Sequence, residues 1–381
     1  IWSQSYDRDL TNILSLQDEI AHSITEAVAQ RFLGHRVAAR RAPARGRLDP
    51  EAYKAYLQGQ YYFAQRTREG IARAVDLFTR TTSVAPKYAD GFAALADAHA
   101  TAALDFQVQG ALPAAADAVD KALTLDPDNP TAIMARATVQ LLQWRWRAAA
   151  TDLKRLEQLH LNTAAAWHMR AIFFDYMGLA QFTGPAEEKA VRLDPLSFID
   201  HYNLALYRML ENRYEDAARI AQQAWALQPA NPDLQQLKVQ IALGKGDIRG
   251  AERILAALIA QTGENSPNTA AARFYIYVAK KDFAAAHKLV DAVAKLFPAS
   301  GILATDLGTA YATANDVDTA MKWFRRAVDL HEPQFLCEPY KYPHLTKLYA
   351  DPRWKALRAE PEIRDWEAAR TEIAREFQAG E

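Results

Sequence analysis

The chain has 381 residues, half of them hydrophobic, with 45 Lys+Arg against 46 Asp+Glu and a net charge of -1. That balance excludes a globally basic nucleic-acid binder and an acidic disordered tail. The single cysteine, Cys337, excludes an internal disulfide or a cysteine-based zinc site, and no apolar run is long enough to span a bilayer.

The amino-terminal segment reads differently from the rest. Ile1-Trp2-Ser3-Gln4-Ser5-Tyr6 alternates apolar and polar residues, the period of a strand. A helix is expected from Ser15 to Phe32, with Ser15 and Asp18 as a capping box. Leu16, Ile20, Ile24 and Val28 form its apolar stripe, and Gly34 ends it. Arg31, Arg36, Arg40, Arg41, Arg45 and Arg47 follow, a basic linker without aromatic interleaving or a nucleic-acid motif. The chain begins with Ile and no signal peptide precedes it, so it reads as a fragment that has lost a partner domain.

Roughly a fifth of the residues are alanine, the best helix former, against 15 glycines. Asp306 to Leu330 reads as a helix, a turn at Asn315-Asp316 and a second helix. Small Gly308 and Ala320 sit where the helices cross, beside bulky Tyr311 and Phe324. Pro333 ends the hairpin, since it has no N–H to donate. Pro86, Pro127, Pro195, Pro229, Pro298 and Pro333 follow predicted helices at separations of 41, 68, 34, 69 and 35 residues. Leu161 and Gly263 take the place of two absent prolines, and the 41 holds an insertion of about seven residues. Eight units result between about 51 and 333. Their second helices begin with Trp146, Tyr214, Ile248, Phe283 or Val317, and small residues recur at Ala74, Ala115, Ala149, Ala217, Ala251, Ala286 and Ala320. Thr183-Gly184-Pro185 interrupts the fourth unit, whose second helix is expected to begin late.

After Pro333 come Pro339, Pro343, Pro352 and Pro361, giving loops and then short helices near 343–359 and 362–378. Arg364, Asp365, Glu367, Arg370, Glu372, Arg375 and Glu376 supply the polar outer face of a terminal cap. Cys337, among Phe335, Leu336 and Pro339, reads as a packed thiol without a basic neighbour to activate it.

A 34-residue helix–turn–helix period resembles the tetratricopeptide (TPR) repeat. The resemblance implies an all-α, right-handed superhelical solenoid of about eight units with contacts between neighbours only. Trp2, Tyr6, Asp7, Arg8, Asp9, Leu10 and the run Leu16-Gln17-Asp18-Glu19-Ile20-Ala21 resemble a junction in bacterial multidomain signalling proteins. There a TolB-like α/β domain meets a TPR array, downstream of a class III nucleotide cyclase, a CadC-type DNA-binding domain or another effector. Asp351-Pro352-Arg353-Trp354 resembles the closure of that group. The implied organisation is a remnant of an upstream domain over 1–14, a connecting helix and basic linker over 15–50, the array over 51–333 and a cap over 334–381. A cytoplasmic location is implied, or a periplasmic one if an upstream membrane helix existed.

Catalytic, metal and cofactor signals are lacking in the sequence. Gly244-Lys245-Gly246-Asp247-Ile248-Arg249-Gly250 has neither the strand before it nor the Ser/Thr of a phosphate loop, and reads as an inter-helix turn. The nine histidines show no metal spacing. His99 reads as a packed histidine, while Trp144, in a turn, is a candidate partner contact. The fifth and ninth positions of TPR first helices face the concave surface. Here these are Tyr56 and Gln60, Ala93 and Asp97, Met134 and Thr138, His168 and Ile172, Tyr202 and Leu206, Gln236 and Gln240, Ala271 and Tyr275, Thr305 and Thr309. None is Lys or Arg, so the basic clamp that grips chaperone carboxylate tails is missing. The expected role is a protein-interaction scaffold without chemistry of its own. It would take an uncharged or mildly basic peptide, or a domain of its own polypeptide, in that groove. The regulatory part of a nucleotide cyclase and an oligomerisation scaffold are the alternatives.

Overall fold

A computed structural model describes residues 48–296 and 302–378. The amino-terminal strand, the helix over 15–32, the arginine cluster and Pro298 lie outside the described residues.

Twenty helices and no strand make up the described residues. The first sixteen form eight consecutive pairs: α1 (Pro50–Phe63) and α2 (Arg68–Val84), α3 (Ala89–Phe106) and α4 (Ala111–Leu125), α5 (Pro130–Leu142) and α6 (Trp146–Gln158), α7 (Ala164–Tyr176) and α8 (Ala180–Leu193). The series continues with α9 (Phe198–Leu210) and α10 (Tyr214–Leu227), α11 (Pro232–Gly244) and α12 (Ile248–Thr262), α13 (Pro267–Ala279) and α14 (Phe283–Ala294), α15 (Ala304–Thr313) and α16 (Val317–Asp329). The expected all-helical, eight-unit array is present.

Local chemistry explains the phase. Side chains of Thr67, Thr163, Ser197, Asn231, Asp247, Ser266, Asp282 and Asp316 accept from backbone N–H groups of the helices they precede, satisfying donors left orphaned at the helix start. All five expected second-helix starts are the observed ones. Ala74, Ala115, Ala149, Ala217, Ala251, Ala286 and Ala320 are completely buried. At Gly308 an added Cβ would lie 2.8 Å from the ring of Phe324, so the hairpin closes to van der Waals contact. Each hairpin turn contains a residue with positive φ (Arg66, Gly110, Trp144, Gly178, Asn212, Gly246, Lys281 or Asn315), and the turn before α4 has a second, Gln107. The Gly-rich run is therefore the expected turn, with Gly246 at φ 78° and Asp247 capping α12. The insertion of the second unit lengthens α3 to 18 residues.

Helix α8 corrects an expectation. It starts at Ala180, ahead of Pro185, which lies inside it. Phe182, Ala186 and Ala190 are buried and anchor the helix on both sides of the proline. Pro185 and Gln181, whose carbonyl loses its donor, are exposed, where water can replace the missing bond.

The chain divides into two compact units. One comprises the chain up to Ala102 with Pro113–Ala132; the other comprises Ala103–Leu112 with the chain from Ile133 onward. In the first, Ala93, Ala122 and Ala132 share a core, and Ala74, Phe78, Ala94 and Ala98 another.

The second unit ends in α17 (Gln334–Lys341), α18 (Thr346–Ala350), α19 (Pro352–Arg358) and α20 (Pro361–Gln378). Neighbour-only contact does not hold here. Helix α20 packs on α6, and α17 packs on α7. The ring of Phe377 meets Phe174 edge-on at 5.1 Å. Arg147 bonds Asp365 and Glu372, and Lys154 bonds Glu376. Lys341 Nζ lies 2.6 Å from Asp175, Gln334 donates to the Tyr176 hydroxyl, and Arg370 donates to the Gly178 carbonyl. Gly178 is needed there: a Cβ would lie 2.8 Å from the ring of Tyr340. Trp144, expected as a partner contact, packs against His331 at 5.0 Å. The end of this unit thus clasps its own third and fourth hairpins.

Candidate functional site

In the second unit, α9, α11 and α13 present Tyr202 and Leu206, Gln236 and Gln240, Ala271 and Tyr275, all half-buried. Tyr202 stacks on Phe198 at 6.1 Å, and Tyr275 meets Phe274 edge-on at 5.6 Å, so both rings have one fixed side. Burial keeps both phenols neutral. Asp233, Asp105 and Tyr275 add to this at Tyr202, and Asp306 and Glu338 at Tyr275. Each hydroxyl therefore stays both donor and acceptor at physiological pH. Asp233 and Asp306 are exposed, and Asp233 accepts from Asn268 at 2.6 Å. This stretch combines aromatic, amide and acidic groups.

The other expected groove residues are placed differently. Thr305 is fully buried, and its N–H and hydroxyl both donate to Glu332 at 2.8 Å. Ala304 N–H donates to the same carboxylate at 2.9 Å. Leu303, at the cap position of α15, offers no side-chain acceptor, so Glu332 caps that helix from the far end of the hairpin. Glu332→Ala is expected to lower stability by about 2–3 kcal/mol, since it leaves two buried N–H groups unpaired beside a helix dipole. A urea titration checks this; a change below about 0.5 kcal/mol would show that water caps the helix equally well.

Thr309 donates to Glu338 of α17 at 2.6 Å. His168 is buried between Glu187 and Asp200. In the first unit, Tyr56 packs between Phe78 and Tyr88, and Gln60 and Asp97 are half-buried. In the second unit Met134, Ile172 and Thr309 are also half-buried, but each is paired with a buried residue (Thr138, His168, Thr305), so both members of a predicted pair are half-buried over α9, α11 and α13 alone.

Cys337 is fully buried and its thiol donates to the Gln334 carbonyl. Burial pushes its pKa up to about 12, so it remains an unreactive thiol. Burial also lowers the pKa of His99, as suits a packed neutral imidazole. Among the described residues, one group of three His, Cys, Asp or Glu side chains converges with metal-ligand spacing: His168, Glu187 and Asp200.

Residues 208–273 and 272–334 match family models of the tetratricopeptide repeat. These are TPR hairpins. Among solved structures, the chain is similar to Pseudomonas aeruginosa PilF, at 20% identity over 57% of this chain and 95% of that one, with a TM-score of 0.41. It is similar to yeast Tom70 at 15% identity, over 92% and 75%, with a TM-score of 0.42. A human IFIT1 dimer with m7Gppp-AAAA is similar at 16% identity, over 83% and 78%, with a TM-score of 0.49. No curated protein matches the chain. No helix of the described residues is long and apolar enough to cross a membrane.

Proposed function

We propose that this chain is a protein-interaction module whose TPR first helices bind an extended, uncharged or mildly basic peptide over α9, α11 and α13. The observation that carries the reading is the in-phase series Tyr202, Gln236, Gln240 and Tyr275, half-exposed on successive hairpins. Aromatic faces supply apolar area at low entropic cost, and amides can pair with the backbone of an extended chain. Asp233 and Asp306 favour a basic residue in the ligand and oppose an acidic tail. The module would act by binding alone. The resemblance of residues 1–21 to a signalling junction supports a place for it as the regulatory part of a multidomain bacterial protein, with a partner domain of that polypeptide as a candidate ligand.

The test is a display selection of random peptides on the full chain, followed by anisotropy with the selected peptides. Tyr202→Ala/Tyr275→Ala is expected to weaken binding at least about tenfold, the effect of losing aromatic anchors. Unchanged affinity in the folded double variant would move the binding surface elsewhere.

A further inference from the structure

Three neighbouring helices bring ligating groups to one point. His168 comes from α7, Glu187 from α8 and Asp200 from α9, so the group joins the fourth hairpin to the fifth. His168 Nδ1 lies 2.9 Å from one Glu187 oxygen and 3.2 Å from an Asp200 oxygen. One ligand atom from each residue lies within 4.8 Å of the others. All three side chains are buried, and Glu187 has no exposed surface. Two carboxylates and one imidazole thus converge in a dry part of the core. A polar atom left unpaired in such a site is costly. The second oxygen of Glu187 is buried and has no hydrogen-bond partner, which a simple His–Glu pair does not explain.

We propose that His168, Glu187 and Asp200 bind a divalent transition-metal ion of the zinc class. Ligands at about 2.0–2.2 Å around a tetrahedral ion sit roughly 3.3 Å apart. The two observed nitrogen–oxygen separations approach this, and small side-chain shifts would admit the ion. Imidazole with carboxylates selects zinc, manganese, iron or cobalt over calcium and magnesium, which prefer all-oxygen shells. Three protein ligands leave a fourth position for water or a further donor. Such an ion would give the buried carboxylates a partner and pin α9 to the α7–α8 hairpin. This site does not depend on the peptide-binding reading.

The experiment is calorimetric titration of the full chain with zinc chloride, with cobalt(II) absorbance as a second probe. The expected result is a tight site lost in Glu187→Gln and Asp200→Asn, each weakening binding at least about tenfold. Zinc should also raise Tm in the wild type and not in the variants, because the ion binds only the folded site. Equal binding in wild type and folded variants overturns the proposal, as does absence of zinc and cobalt binding at millimolar concentration. If the variants fail to fold, zinc-soaked wild-type crystals decide by anomalous scattering. A peak between the three ligand atoms supports the site; peaks elsewhere only overturn it.

Discussion

A chain ending at Glu360 is expected to lose several kcal/mol of stability and to lose amide protection in α6 and α7, far upstream in sequence. The truncation removes α20, whose Ile363, Trp366, Ala369, Ile373 and Phe377 are buried. Fully burying a large apolar side chain contributes about 1.5–3 kcal/mol. Part of the gain from four such residues is offset by the entropy of ordering the helix, so a net loss of about 3–6 kcal/mol is expected. The ion pairs of Arg147 with Asp365 and Glu372 contribute little, because all three side chains are about half exposed. The apolar face therefore dominates, and Trp366→Ala alone should cost about 3–5 kcal/mol. Location distinguishes this clasp from an ordinary terminal cap. A cap of a linear array protects only its neighbour, here α16. In this protein, Phe174 and Arg147 lose partners up to 225 residues away. Hydrogen exchange read by mass spectrometry should show faster exchange over 146–176. Protection unchanged there, with losses confined to 317–360, would mean that α20 is only a cap.

The repeat phase was legible because it is a local property. Alanine at each crossing and a bulky residue at each second-helix start follow from two helices meeting at van der Waals distance, and that need recurs in every hairpin. Turn conformation was less legible. Glycine and asparagine mark Gly110, Gly178, Asn212, Gly246 and Asn315, but Arg66, Trp144 and Lys281 adopt the same left-handed conformation without that signature. Packing at their turns outweighs a local cost of about 1–2 kcal/mol. Pro185 misled for a similar reason, because buried neighbours on both sides hold α8 through it.

The clasp and the three-ligand cluster were hidden from the sequence for a different reason. The pattern in α20 shows that one face is buried, and nothing in it shows against what. Its charged residues read as a solvated surface, yet Asp365, Glu372 and Glu376 meet Arg147 and Lys154 across the unit. His168, Glu187 and Asp200 follow no short metal motif, and only hairpin stacking brings them together. The register assigns a series of groove positions, but it does not tell which of them other side chains occupy. Thr305 and Thr309 lie in the expected register and are taken by Glu332 and Glu338, acids supplied by chain beyond α16.

Raising the pH from 5 to 9 is expected to destabilise the protein, with Glu338 as a principal cause. This residue of α17 is buried and accepts from Thr309. Burial pushes its carboxyl up to about 8. The Thr309 bond and Lys341 oppose that rise, while Asp306 and Asp175 add to it. In the unfolded chain the group titrates near its ordinary 4.5. Between the two values the native state holds a proton that the unfolded state has released, so stability falls as pH rises. The contribution is fully present below about 4.5 and lost as pH passes about 8. At 1.36 kcal/mol per pK unit the change is on the order of 4 kcal/mol. His287, raised by its bond to Asp316, and Glu187, raised by burial, tilt stability the same way. The informative quantity is therefore the difference between wild type and Glu338→Gln. The amide is neutral at every pH and still accepts from Thr309. It should match the wild type near pH 5 and exceed it by several kcal/mol at pH 9, measured by urea unfolding at each pH. Parallel curves for the two proteins across this range would mean that Glu338 is already ionised in the fold. Water would then reach α17, and the clasp would be far looser than its buried contacts imply.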